Sequence, residues 1–214
     1  MSLKSKSTTF AFGKNWLSFA KKAVTKEKID SGRVHFRNLC AAINFQNKSF
    51  LDIGYGQGLA LFYAAELGAN VSGIDPDIQN IAAVKELKKY FDTNLSVEPI
   101  NDSILNERFV KSSEDPGFDV VYSWGVLHHT GNLNSAIHNS IRLTKKDGFL
   151  VLAIYNRHWS SQIWKVIKWL YVVSPPTFKE FLILFFYLPL KIATWVFVGK
   201  SHGNSMRGMD FYHD

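Results

Sequence analysis

Short apolar runs alternate with amphipathic stretches through residues 49–156, and this alternation restricts the fold more than any other feature of the chain. SFLDIGYG is a brief apolar run ending in glycines, the pattern of a buried parallel strand entering a loop. LALFYAAELG then reads as a helix closed by Gly68. NVSGIDPD reads as a second strand, IAAVKELKKYF as a second helix and LSVEPINDSI as a third strand. FDVVYSWGVL, LNSAIHNSIRLT and GFLVLAIYN continue the series as strand, helix and strand. Strands separated by helices imply right-handed crossovers and a doubly wound, mainly parallel α/β sheet.

The flanks read differently. Residues 15–45 are expected to be helical, with Trp16, Phe19, Ala20 and Ala23 on one stripe and lysines on another. Beyond residue 156, SSQIWKVIKWLYVV is amphipathic and Pro175-Pro176 ends it. Thr177 and Glu180 make a capping-box pattern before FLILFFYL, and Pro189 breaks or kinks that helix. No final β-hairpin is evident. The expected organisation is a basic N-terminal helical cap at 1–45, a core at 46–157 and a C-terminal helical or lid segment at 158–214. At 214 residues all three belong to one structural domain.

Composition narrows the setting. Hydrophobic content of 46% with 20% charged residues describes a globular, not a disordered, chain. The single cysteine, Cys40, excludes an internal disulfide framework and multi-cysteine metal sites. The seven histidines lack ligand spacing, so no metal is expected. A reducing, cytoplasmic setting follows, and MSLKSKSTTF holds no apolar core of signal-peptide length. The net charge of +7 resides in residues 1–37, where nine basic residues face Glu27 and Asp30. Such a leader suits an anionic partner, or is simply a solvated helical face.

The glycines of LDIGYGQG select among nucleotides. A dinucleotide loop places its third glycine where Leu59 stands here, and no Gly-Lys-Ser/Thr follows. The spacing of Gly54, Gly56 and Gly58 therefore disfavours a nicotinamide cofactor and suits a ligand without pyrophosphate. Asp75, with Pro76 beside it, ends the second strand, where a carboxylate accepts hydrogen bonds from ribose hydroxyls. Asp102 follows the third strand, positioned to accept from an adenine amino group. Each aspartate alone reads as a helix cap or turn residue; together they outline a ligand on the carboxyl edge of the sheet.

With LDIGYGQG, GIDPD, NDS, FDVVYSWGVLHHT and DGFLVLAIYN in place, residues 49–156 resemble the class I S-adenosylmethionine-dependent methyltransferases, particularly the ubiquinone-biosynthesis-like type 11/12 group. The resemblance implies a Rossmann-like core and S-adenosylmethionine as cofactor, released as S-adenosylhomocysteine. It assigns Asp52, Gly54, Gly56 and Gly58 to the methionine part, Asp75 to the ribose, and Asp102 with Ser103 to the adenine. Ser123 and Trp124 would line the site after the fourth strand. That family normally ends its sheet with an antiparallel hairpin, and this chain departs from the pattern.

Methyl transfer from a sulfonium is an in-line displacement, for which positioning supplies up to about 7–11 kcal/mol of the barrier. His128 and His129 are the candidate general bases if the acceptor must lose a proton, with Tyr155 and His158 as weaker ones. The bland alternative packs one histidine against the sheet and uses the other in a loop. The fourth strand is followed by SWGV, not by the Asp/Asn-Pro-Pro-Tyr of many amino-methylating relatives. Cys40, in an early helix, reads as a small core residue and speaks against cytosine methylation; nucleic acid is not the expected partner. An oxygen or carbon of a small, lipophilic or lipid-linked acceptor is the favoured target. FLILFFYLPL reads first as a buried or lid helix, and second, with the basic leader, as a peripheral contact with an anionic membrane. A non-catalytic cofactor-binding or membrane-surface scaffold is the alternative from another class.

Overall fold

The computed structural model describes residues 13–92 and 94–155, with 166, 167, 169, 171 and 173–175. The chain divides into two compact units, residues 1–154 with 206–214, and residues 155–205. In the second unit, positions 166, 167, 169, 171 and 173 are helical, within the amphipathic stretch read from the sequence. The expected lid at 181–190 and the chain beyond it lie outside the described residues.

The first unit contains α1 (Gly13–Lys22), α2 (Lys26–Leu39), β1 (Ser49–Ile53), α3 (Leu59–Glu66), β2 (Asn70–Asp75), α4 (Gln79–Leu87), β3 (Val97–Asn101), α5 (Glu107–Ser113), β4 (Phe118–Trp124), α6 (Leu133–Leu143) and β5 (Thr144–Ala153). The strands lie in the order β3-β2-β1-β4-β5, and every pairing is parallel. This is the doubly wound α/β architecture that the alternation predicts.

Strand pleating divides the core between two faces. Phe50, Val120 and Tyr122 meet Phe19, Phe36 and Phe62 from α1, α2 and α3. Leu51, Ile53 and Val121 meet Val110, Ala136 and Leu143 from α5 and α6. Phe50, Leu51 and Val121 are fully buried, and each such side chain stabilises the fold by about 1.5–3 kcal/mol. Cys40 is buried at the end of α2, where desolvation pushes its thiol up to about 11. It is a core residue, as expected. The amino ends of the strands are clamped by Asp119, which accepts from the Ser49 N–H at 2.9 Å, the Ser49 hydroxyl at 2.7 Å and Lys145 Nζ at 3.0 Å. Those bonds hold its carboxyl well below the usual carboxylate range.

Two local readings need correction. The stretch read as helical, 15–45, holds two helices that end at Lys22 and Leu39, and 40–45 are not helical; Thr25 separates the two, extended, with its Oγ1 accepting from the Lys28 N–H at 3.3 Å. Helix α5 was not expected; it is only 7 residues long and is capped by Asn106, whose side chain accepts from the Arg108 N–H.

Candidate functional site

The sheet reverses its winding at β1, whose neighbours are β2 and β4, and the carboxyl end of β1 is the position where sheets of this kind bind ligands. The glycine loop lies there, between β1 and α3. Gly54 and Gly56 have φ of 75° and 53°, in the left-handed region that side chains with a Cβ resist. Their missing side chains also admit neighbours. A Cβ on Gly54 would collide with Val126, from the turn after β4. One on Gly56 would lie 3.0 Å from Trp16 Nε1, and one on Gly58 would lie 2.6 Å from Val84 of α4. Each glycine therefore lets a different element close on the loop.

Asp75 ties the loop to the next strand. Its Oδ2 accepts from the Gly56 N–H at 3.1 Å and its Oδ1 from the Asp77 N–H at 2.8 Å. Asn80, at the start of α4, also hydrogen-bonds this carboxylate. Pro76 is exposed beside it. The Asn101 side-chain amide donates to the Asp75 carbonyl at 2.9 Å, bringing the end of β3 to the end of β2. Beyond it, Asp102 Oδ1 accepts from the Ser103 N–H at 2.7 Å and the Asn106 amide at 2.8 Å, shaping the turn into α5. Ser103 Oγ accepts from the Leu105 N–H.

The loop is acidic and desolvated. Asp52 is 3% exposed; burial first, then the Asp75 charge, pushes its carboxyl well above the usual range. Burial also raises Asp75, opposed by the hydrogen bonds from Asp77, Gly56 and Asn80. Around these carboxylates, Tyr55 OH, Gln57 Oε1 and Asn80 Oδ1 are buried without a hydrogen-bond partner. Buried polar atoms of this kind call for a partner, and a ligand at the loop would supply one.

Residues from the end of β4 divide. Ser123 is fully buried and donates its hydroxyl to the Ile53 carbonyl at 2.9 Å, so it braces β4 against β1. Trp124 is half-buried, stacked on Tyr122 at 6.1 Å and met edge-on by His35 at 5.9 Å. The following turn carries half-buried His128 and exposed His129, with ring centroids 4.1 Å apart. Burial first and His129 second lower the His128 pKa. Tyr155 is exposed and belongs to the second unit, while His158 lies outside the described residues. The sequence reading missed Gly13, Trp16, Asp77, Asn80 and Val126 at the loop. Trp16 was legible only as part of an apolar stripe, because a stripe does not reveal what it packs against.

A sequence family described as a methyltransferase domain matches residues 26–181. The chain belongs to the class I S-adenosylmethionine-dependent methyltransferases. A ubiquinone biosynthesis O-methyltransferase from Rhodopseudomonas palustris is 32% identical over 127 residues, covering 58% of this chain and 47% of the relative. The chain thus spans about half the length of the curated relatives it matches. A Methanococcus maripaludis protein described as an S-adenosyl-L-methionine-dependent methyltransferase superposes with a TM-score of 0.53 at 15% identity, over 93% of this chain and 88% of that one. Magnesium protoporphyrin IX methyltransferase from Synechocystis, with bound S-adenosylhomocysteine, gives 0.50 at 21% identity over 68% and 62%. These two likenesses concern the fold.

The residues at the loop fit the family's cofactor. S-adenosylmethionine carries a sulfonium and an ammonium, and positive charge nearby would relieve Asp52 and Asp75, two carboxylates whose proton affinity burial raises. Its hydroxyl and amino donors would satisfy acceptors such as Gln57 Oε1 and Asn80 Oδ1.

Proposed function

We propose that the protein transfers a methyl group from S-adenosylmethionine to an oxygen of a small, lipophilic acceptor. The observation carrying this reading is the buried acidic loop of Gly54, Gly56, Asp52 and Asp75, flanked by unpaired polar atoms. In this reading Asp52 and the glycine loop hold the methionine part, Asp75 the ribose, and Asp102 with Ser103 the adenine. Oxygen is favoured over carbon by likeness to O-methyltransferases of ubiquinone biosynthesis. A lipophilic acceptor also suits the apolar run at 181–190.

The cofactor supplies an electrophilic methyl group and a neutral leaving sulfide. The chain's residues align that methyl with the acceptor and exclude water, a contribution of up to about 7–11 kcal/mol. A hydroxyl acceptor must also lose its proton. His128 is assigned as the base, because burial keeps its imidazole neutral and able to accept a proton. His129 raises the cost of charging its neighbour and tunes the same step.

Calorimetry with S-adenosylhomocysteine and with NAD tests the cofactor assignment. Asp75→Ala should weaken S-adenosylhomocysteine binding by about 1–3 kcal/mol, as loss of a buried charged acceptor does. Binding of NAD alone, or an unchanged affinity in the variant, would overturn it. The acceptor is sought with labelled methyl groups in lipid and aqueous fractions of a cell extract. With that acceptor, kcat/KM should fall as pH drops through a value below the ordinary imidazole pKa of about 6.5. His128→Gln should abolish that acid limb; an unchanged profile would remove His128 from the reaction.

A further inference from the structure

Helix α1 closes on the glycine loop through two separate contacts. At its first residue, the Gly13 N–H donates to Asp77 Oδ2 at 2.8 Å, and a side chain on Gly13 would collide with that carboxylate. One turn later Trp16 sets the pyrrole edge of its indole over Gly56: a Cβ there would lie 3.0 Å from Nε1 and 3.2 Å from Cε2. Another turn on, Phe19 and Ala20 are 0% and 1% exposed and root the helix in the core. Trp16 itself is half-buried and meets the Phe19 ring edge-on at 6.4 Å.

These contacts form a circuit. Gly56 bonds Asp75, Asp75 bonds the Asp77 backbone, the Asp77 side chain bonds Gly13, and Trp16 of the same helix returns to Gly56. The circuit runs through the carboxylate assigned to the ribose. A ligand that fixes Asp75 therefore also fixes the anchor of α1.

We infer that α1 is a retaining wall of the cofactor site and that Trp16 is the positioning residue that closes it, slowing cofactor release. This rests on the reading of the loop as the cofactor site. An aromatic ring laid over a glycine backbone excludes water from the loop's hydrogen bonds, and bonds shielded in this way break less readily. The basic helix α1 is thereby part of the binding machinery, beyond any role as a charged surface.

The test measures S-adenosylhomocysteine affinity and dissociation rate for the wild-type chain, Trp16→Ala, Trp16→Phe and Asp77→Asn, with a thermal melt of each. Trp16→Ala should weaken binding by about tenfold or more, chiefly through faster dissociation. Trp16→Phe should restore most of that loss, since it keeps an aromatic ring over Gly56. Asp77 accepts from both Gly13 and the Gln79 N–H, and an amide cannot serve both donors equally. Asp77→Asn should therefore speed dissociation and hydrogen exchange along α1 while leaving the melt nearly unchanged. In the wild-type chain, S-adenosylhomocysteine should slow exchange of the α1 amides. Normal affinity in a folded Trp16→Ala chain would overturn the inference. Faster association with equal or tighter affinity would do the same, since the indole would then be an obstruction. If Trp16→Ala fails to fold, unchanged dissociation and α1 exchange in Asp77→Asn decide against it. Failure of the wild-type chain to bind S-adenosylhomocysteine overturns the cofactor reading itself, and this inference with it.

Discussion

Gly54→Ala separates the two reasons for a glycine at the head of the loop. With φ of 75°, alanine must adopt a left-handed backbone, which costs about 1–2 kcal/mol. The new Cβ also collides with the Val126 side chain, and overpacking of that kind costs about 1–3 kcal/mol more. The expected destabilisation is about 2–5 kcal/mol. Gly131→Ala is the internal control: its φ is 82°, yet nothing lies within 4 Å of the added carbon, so only the conformational part of about 1–2 kcal/mol remains. Urea denaturation of both variants beside wild type measures the difference. The double variant Gly54→Ala/Val126→Ala should recover most of the steric part, giving a coupling energy of about 1–3 kcal/mol. Equal destabilisation by Gly54→Ala and Gly131→Ala would refute the packing argument. So would a double variant no more stable than the sum of its parts.

Two further predictions concern the rest of the molecule. Asp119→Asn should cost about 1–2 kcal/mol at pH 7 by weakening charged hydrogen bonds to Ser49 and Lys145, with S-adenosylhomocysteine affinity unchanged. Because the folded-state pKa of Asp119 is depressed, this stability is present above the ordinary carboxylate value and is lost as pH falls through the depressed one. Urea titrations at several pH values should show the wild-type advantage vanish only in strong acid; an advantage that grew on acidification would contradict the assignment. Flotation with anionic vesicles tests the basic leader: replacing exposed Lys21, Lys22 and Lys26 with Gln should release a membrane-bound chain at low salt. Lys28 is kept, since its Nζ donates to the Ala23 carbonyl at 2.8 Å, and absence of wild-type flotation would end the membrane idea.

The strand and helix order was legible because β1, β2, β4 and β5 are apolar runs that switch to helical periodicity at glycine or aspartate turns. Helix α5 was not, because ERFVKSS is too short for a period and only Val110 is buried. The break at Thr25 escaped notice for a related reason: Lys28 occupies the place where a capping box has glutamate or glutamine. At the site, the aspartates at the ends of β2 and β3 could be placed from strand position alone. The partners of the glycines could not. The missing Cβ of Gly56, expected to favour a ligand, also admits Trp16, which lies 40 positions earlier in the chain. Ser123 was expected to line the site after β4, and the bond its hydroxyl makes to the Ile53 carbonyl could not be read from the sequence. Such contacts are tertiary, and residue spacing along one strand does not encode them.

Among these features, the double duty of Asp75 bears on how the protein can evolve. One carboxylate joins the glycine loop to the segment that anchors α1, and under the proposed function it is also the group that takes the ribose. A substitution that retuned cofactor preference at this position would therefore be pleiotropic, disturbing the seating of the N-terminal helix in the same step. The turn bearing His128 and His129 takes no part in that hydrogen-bonded joint, so substitutions there leave the seating of α1 untouched.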